Sequence, residues 1–191
     1  MRHNPRLLIG AAALVLMLAI SVPSNATTVL RMDLEEMVQR SGTIFRGTVE
    51  DFRTGSIEVG GGTLPTVTYV FQVEEGLKGD FGGKTNPTIE VTMLGAIKDR
   101  AIVVNGQQRL NPLPSLPSYS IGSEYLVILT PQSAAGLSVS VGLEQGTFRV
   151  FNQDHADFAV NALDNQNLGS GISGPIRYDV LAGMIRELVS E

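Results

Sequence analysis

Cysteine and tryptophan are absent from this chain, histidine occurs twice, and Lys and Arg together number 14 against 19 Asp and Glu. Without cysteine there are no disulfide staples and no thiolate ligands, so the stability of a secreted form has to come from burial. The shortage of basic residues, with no basic run anywhere, argues against nucleic-acid binding, because neutralising phosphates with Lys and Arg supplies most of that affinity. Beyond residue 26 one histidine remains, His155, and with no second imidazole or thiol to join it a zinc site is not expected. What is plentiful is Val, Ile, Leu and Phe for a core and 21 glycines for turns, with only 17% charged residues. Such a composition suits short strands better than long helices.

The N-terminus carries the clearest signal. Arg2 and Arg6 precede an almost unbroken apolar run over residues 7–22, and Pro23, Ser24, Asn25 and Ala26 close it. This is the build of a secretory signal peptide, with small residues at Ser24 and Ala26 for the peptidase. The expected cut follows Ala26 and leaves a single domain from Thr27 on with a net charge of about −7. An uncleaved membrane anchor is the alternative reading, but the run falls short of the about 20 residues of a full span and ends in small polar residues. Lipid anchoring needs a cysteine at the cut, and there is none. The mature form is expected to be exported, periplasmic or extracellular, and not membrane-spanning.

Residues 33–40 read as a short helix, with Asp33 as cap, Glu36 reaching back, and Leu34, Met37 and Val38 on one face. A first strand follows over 43–53, with Ile44, Val49 and Phe52 as core candidates, a bulge near Gly47, and a glycine-rich hairpin region over 55–62. Residues 66–75 give the cleanest alternation: Val67, Tyr69, Phe71 and Val73 share one face. After a turn at Leu77, Lys78 and Gly79, strands are expected over 88–94 and 123–130; the second is apolar on both faces and so should be central or covered twice. The long connection 95–122 holds a possible strand at 101–104 and a proline cluster that cannot join a ladder. A closing hairpin is expected from 137–141 and 146–151 around Gly142. Residues 154–174 read as a polar, glycine-dotted connector, and Pro175 introduces a C-terminal helix over 175–191 whose apolar stripe is Val180, Leu181, Met184, Ile185, Leu188 and Val189.

No catalytic set assembles from these residues. His155 would have to serve any triad, and no serine lies in a G-x-S-x-G elbow. Gly169, Gly171 and Gly174 match G-x-G-x-x-G, but a polar segment precedes them where a dinucleotide site needs a buried strand. The adjacent pairs Glu35-Glu36 and Glu74-Glu75 diverge in any regular element, and Pro114 to Pro117 forms a PxxP better read as a stiff loop. No cofactor and no metal are expected.

Ser41 to Val49, then residues 68–73 ending in Leu77-Lys78-Gly79, then residues 122–129 resemble the netrin-module and tissue-inhibitor-of-metalloproteinase superfamily. The same layout resembles a group of secreted bacterial proteins. The resemblance covers about residues 37–150 and implies an OB-type barrel. Metalloproteinase inhibitors of that family chelate the target's zinc through an N-terminal cysteine; this chain has none, so no functional residue is carried over. The expectation is a mainly β chain: a small antiparallel OB-like barrel of five to six strands over 27–153, with a short N-terminal helix and a C-terminal helix packed on it. The expected function is that of a non-enzymatic binding or interaction module for another extracytoplasmic protein, with Asn111, Pro112, Leu113, Pro114, Leu116, Pro117 and Tyr119 as the interaction loop. Two alternatives stand beside it: an inhibitor of an extracellular hydrolase that inserts residues 101–120, its prolines lowering the ordering cost, and an enzyme working with carboxylates and Ser or Tyr alone.

Overall fold

The computed structural model describes residues 30–83, 87–95, 101–104, 107–110 and 116–190. The expected leader over 1–26 lies outside them. Helix α1 (Leu34–Arg40) is followed by strands β1 (Thr43–Val59), β2 (Gly62–Lys78), β3 (Thr88–Leu94), β4 (Ala101–Val104), β5 (Gln107–Leu110) and β6 (Glu124–Leu129). A 3-10 turn (Leu143–Gly146), β7 (Thr147–Gln153), β8 (Ala156–Val160), β9 (Ile176–Arg177) and helix α2 (Tyr178–Ser190) complete the order. Seven strands form one antiparallel sheet in the order β3-β2-β1-β6-β7-β8-β9, and β4 pairs with β5 apart from it. Among the described residues no helix is long and apolar enough to cross a membrane.

β6 is the middle strand, as its two apolar faces require. Leu126 and Ile128 point to a core shared with Ile44, Phe148, Val150 and Ala159, and both helices cover this side. Tyr125, Val127 and Leu129 point the other way, into a second core with Phe45, Val49, Phe71, Val91 and Met93. α1 is capped at its start by Asp33, whose Oδ1 accepts from the Glu36 N–H at 2.8 Å. Glu36 itself turns to Arg40 at 2.6 Å and does not reach back. At the other end the Lys78 ammonium donates to the Val38 carbonyl at 2.7 Å and to Ser41 Oγ at 3.1 Å, placing a cation where the helix dipole favours one. α2 seats Leu181, Ala182 and Ile185 on the sheet, with Met184 and Leu188 at the rim. Packing on the body is what the sequence pattern implied, although Val180 and Val189 face solvent and Ile176 belongs to β9.

Three register breaks separate β1 from β2, between Ile44 and Phe45, between Arg46 and Gly47, and between Val49 and Asp51. The expected bulge near Gly47 is the second of these. A Cβ there would lie 2.7 Å from the Gln72 carbonyl and 3.1 Å from the Phe45 ring, so only glycine lets the ring lie across the strand.

Several expectations are corrected. The strand count is seven plus a separate pair, not five to six, and β3 and β9 end the sheet with no ladder between them. The glycine-rich hairpin expected over 55–62 is present, turning at Gly60 and Gly61, but Leu77-Lys78 is ladder and not turn, because β2 runs on to Lys78. Phe52 is 45% exposed on the outer part of this ribbon and is no core residue. Residues 137–141 do not form a hairpin strand; Ser140 makes a single bridge to Leu129. The segment 154–174 is no connector. Asp154 and His155, both at positive φ, turn β7 into β8. A turn beyond β8 buries Asn161, Asn165 and Asn167. Its polarity is internal: Asn161 and Asn165 each accept the other's backbone N–H, and Asn165 Nδ2 donates to the carbonyls of Ala159 and Gly174.

Ile185→Ala should destabilise the domain by about 2–5 kcal/mol, the usual range for a fully buried aliphatic, whereas Val180→Ala should change it by less than about 0.5 kcal/mol. Urea unfolding of the two variants measures the difference.

Candidate binding cleft

Of the interaction loop, Asn111, Pro112, Leu113 and Pro114 lie outside the described residues. Leu116 is half-buried, while Pro117 and Tyr119 are interior. Tyr119 is 6% exposed and meets Tyr69, Phe71 and Tyr125 edge-on at centroid distances of 4.9, 5.1 and 5.1 Å. Its hydroxyl bonds Ser140 Oγ at 2.8 Å and Thr147 Oγ1 at 3.3 Å, and burial pushes its pKa up to about 12. The Tyr125 hydroxyl accepts from the Ser120 N–H at 3.2 Å. Tyr119 nails the returning end of the loop to the second core, and an aromatic flanked by prolines gave no sign of that in the sequence.

Leu116 opens instead onto an uncharged cleft of about 310 Å³. Met93 and Leu94 of β3 form one wall, and Pro131, Leu137 and Val139 form the other. The second wall is rigid for local reasons. Ser133 N–H donates to the Leu137 carbonyl at 2.8 Å around Gly136 at φ 75°, and Ser138 Oγ donates to the Thr130 carbonyl at 2.7 Å. The Ser138 N–H donates to the Thr92 carbonyl at 2.8 Å, tying this wall to β3. Among the described residues, no ionisable side chain lines the cleft. An apolar group fits it and an ion does not.

The ionisable groups gather elsewhere, beside α2. Arg46 pairs with Glu124, with Asp157 at 2.7 Å, and lies 4.3 Å from the centre of the Tyr178 ring. Burial works against its charge, but hydrogen bonds to the two carboxylates outweigh it and hold the guanidinium above its ordinary value. Burial and then the neighbouring Glu75 carboxylate raise the Tyr178 hydroxyl, which donates to Glu75 at 2.6 Å, and Arg186 pairs with the same carboxylate. Hydrogen bonds from Asn152 and Arg46 hold Asp157 below the usual carboxylate range. Carboxylates held as ion pairs make poor general acids, and the cluster works as a clamp between α2 and the sheet. Glu74 is turned away from Glu75, towards Thr48 at 2.7 Å, as their adjacency requires. His155 is exposed in its turn, residues 169–174 form turns without a preceding buried strand, and no group of three His, Cys, Asp or Glu is placed to hold a metal among the described residues.

No known protein family, curated protein or solved structure matches the chain.

Tyr119→Phe keeps the ring cluster and leaves Ser140 Oγ and Thr147 Oγ1 bonded to each other at 2.6 Å, so it should cost only about 0.5–1.5 kcal/mol; Tyr119→Ala empties the cluster and should cost about 3–5 kcal/mol. Denaturant midpoints check both. Because the folded state lowers the pKa of Asp157, its contribution is present above the unfolded value of about 4 and is lost as pH falls through the lower folded value. Asp157→Asn should then be less stable than the parent at pH 7, and the gap between them should shrink at pH 3 in paired urea titrations.

Proposed function

We propose that the chain is an exported, non-enzymatic interaction module on an OB-like sheet, and that its uncharged cleft takes an apolar side chain of another extracytoplasmic protein. Export rests on the Arg2, Arg6 and 7–22 pattern with its small-residue ending. The OB-like reading draws on the netrin-module resemblance. Two observations support it: the register breaks that let β1 and β2 bend, and the Ser138 to Thr92 hydrogen bond that links β3 to the segment beside β6. The observation that carries the binding reading is the cleft itself. Its volume falls in the about 300–1,000 Å³ range of ligand sites, its walls are tied by backbone hydrogen bonds, and the carboxylates beside α2 are all committed to ion pairs.

The inhibitor reading keeps one supporting observation. The segment meant to insert carries a β-hairpin, β4 with β5, and so offers a more rigid element than a proline loop alone. Removing residues 111–117 without any loss of hydrolase inhibition would dispose of it.

A photo-crosslinker at Leu137 should form a protein adduct in envelope extract that excess parent protein competes away and excess Leu137→Glu does not. The variant should melt within a few degrees of the parent while its partner affinity drops at least about tenfold, or 1.4 kcal/mol. An adduct formed equally from Glu187 on the far side of α2, or undiminished binding by Leu137→Glu, counts against the cleft.

A further inference from the structure

Past the body of the sheet, β1 and β2 run on together as a two-stranded ribbon. The β6 side of β1 is occupied as far as Val49, whose N–H donates to the Ser123 carbonyl at 3.1 Å, and from Phe52 to Glu58 no described residue pairs with β1 on that side. Every residue from Glu50 to Val59 is exposed except Ile57, which is half-buried. The aim of the backbone groups follows from the register. The Pro65 carbonyl accepts from the Gly95 N–H at 3.0 Å, so Pro65 points away from β1, and its partner Ser56 points away from β2. Alternation gives Phe52, Thr54 and Glu58 the same outward aim, while Arg53, Gly55 and Ile57 bond inward to β2. The Asp51 carboxylate accepts from the Phe52 N–H at 2.8 Å and so closes the inner end of this open edge.

We propose that this edge is a self-association surface: the β1 edges of two copies pair antiparallel about a two-fold axis at Gly55, joining two ribbons into one four-stranded ribbon. An open strand edge is a template for another strand, and a two-stranded ribbon by itself is marginal in water. A second copy fits because the edge is complementary to itself. With Gly55 opposite its own copy, Thr54 faces Ser56 and Phe52 faces Glu58 of the second copy, all of them outward-aimed, and each such pair exchanges two backbone hydrogen bonds. On the other face of the ribbon Arg53 lies opposite Ile57 and Asp51 opposite Val59, so no two like charges meet. The neighbouring axes are worse. An axis at Thr54 sets Glu50 against Glu58, and an axis at Ser56 leaves Phe52 opposite the Gly60 turn. The contact has no packed apolar centre, which places it among the small, weak interfaces and makes it depend on concentration.

The test is residue-resolved hydrogen exchange on the protein as purified from its producing cell, at about 5 µM and about 500 µM, which bracket a weak self-association. The amides of Thr54, Ser56 and Glu58 should exchange at least about tenfold more slowly at the higher concentration, while those of Arg53, Gly55 and Ile57 stay protected at both. Ser56→Pro removes an outward N–H and no rung of the β1–β2 ladder, so it should melt within a few degrees of the parent, sediment as a monomer at about 500 µM and lose the concentration dependence. Thr54→Lys combined with Ser56→Lys sets ammonium groups against each other across the paired edges and should do the same should proline disturb the ribbon. Outward amides that exchange equally fast at both concentrations overturn the proposal, and so do amides equally slow at both, because another part of the same chain then covers the edge. A folded variant that still sediments as a dimer overturns it, as does protection that appears only when envelope extract is added.

Discussion

Tyr125, Leu126, Val127, Ile128 and Leu129 are five consecutive buried side chains on a strand, and a strand alternates its faces. No orientation of β6 can expose a polar side, so both of its faces must be covered by something the rest of the chain supplies. At roughly 2 kcal/mol for each fully buried apolar side chain, this run alone is worth about 10 kcal/mol, comparable with the net stability of a whole domain. The two helices roof Leu126 and Ile128, while β2, β3 and the Tyr119 cluster enclose Tyr125, Val127 and Leu129. Strand order follows from the same demand: β1 and β7 flank β6, and the remaining strands extend outward from them.

Polar groups in this molecule mainly fix the pieces that cover β6. Lys78 holds the end of α1, the Arg46, Glu75, Glu124 and Asp157 cluster holds α2, and Asn161, Asn165 and Asn167 hold the turn between β8 and β9. No buried side-chain nitrogen or oxygen lacks a partner among the described residues. Each of these groups is therefore held in place by a partner, as buried polar groups require.

The cleft arises where the cover is incomplete. β3 is the last strand on its side of the sheet, and the Ser138 N–H reaches across to it. Beside that bond Met93, Leu94 and Leu137 line the cleft. A seam between a strand edge and a hydrogen-bonded loop presents a rigid apolar hole.

Much of the local structure was legible in the residues themselves. Asp33 before Leu34, Met37 and Val38 specifies a capped helix; alternation over Val67, Tyr69, Phe71 and Val73 specifies a strand and its inward face; and the spacing of Leu181, Met184, Ile185 and Leu188 specifies an amphipathic helix that has to dock. The central place of β6 was readable for the same reason. What the residues did not show was where polarity would be buried. Asn161, Asn165 and Asn167 look like a solvated connector until the fold brings Gln145 and Met32 against them, since a polar side chain goes inside only when distant partners satisfy it. Tyr119 among prolines looks like a contact residue until Tyr69, Phe71 and Tyr125 surround it. Periodicity is a property of neighbours along the chain and survives in the sequence, so strands, helices and their faces were determined there. The clamp, the buried amides and the cleft each depend on residues that meet only after the sheet has formed, and the tertiary structure alone decided them.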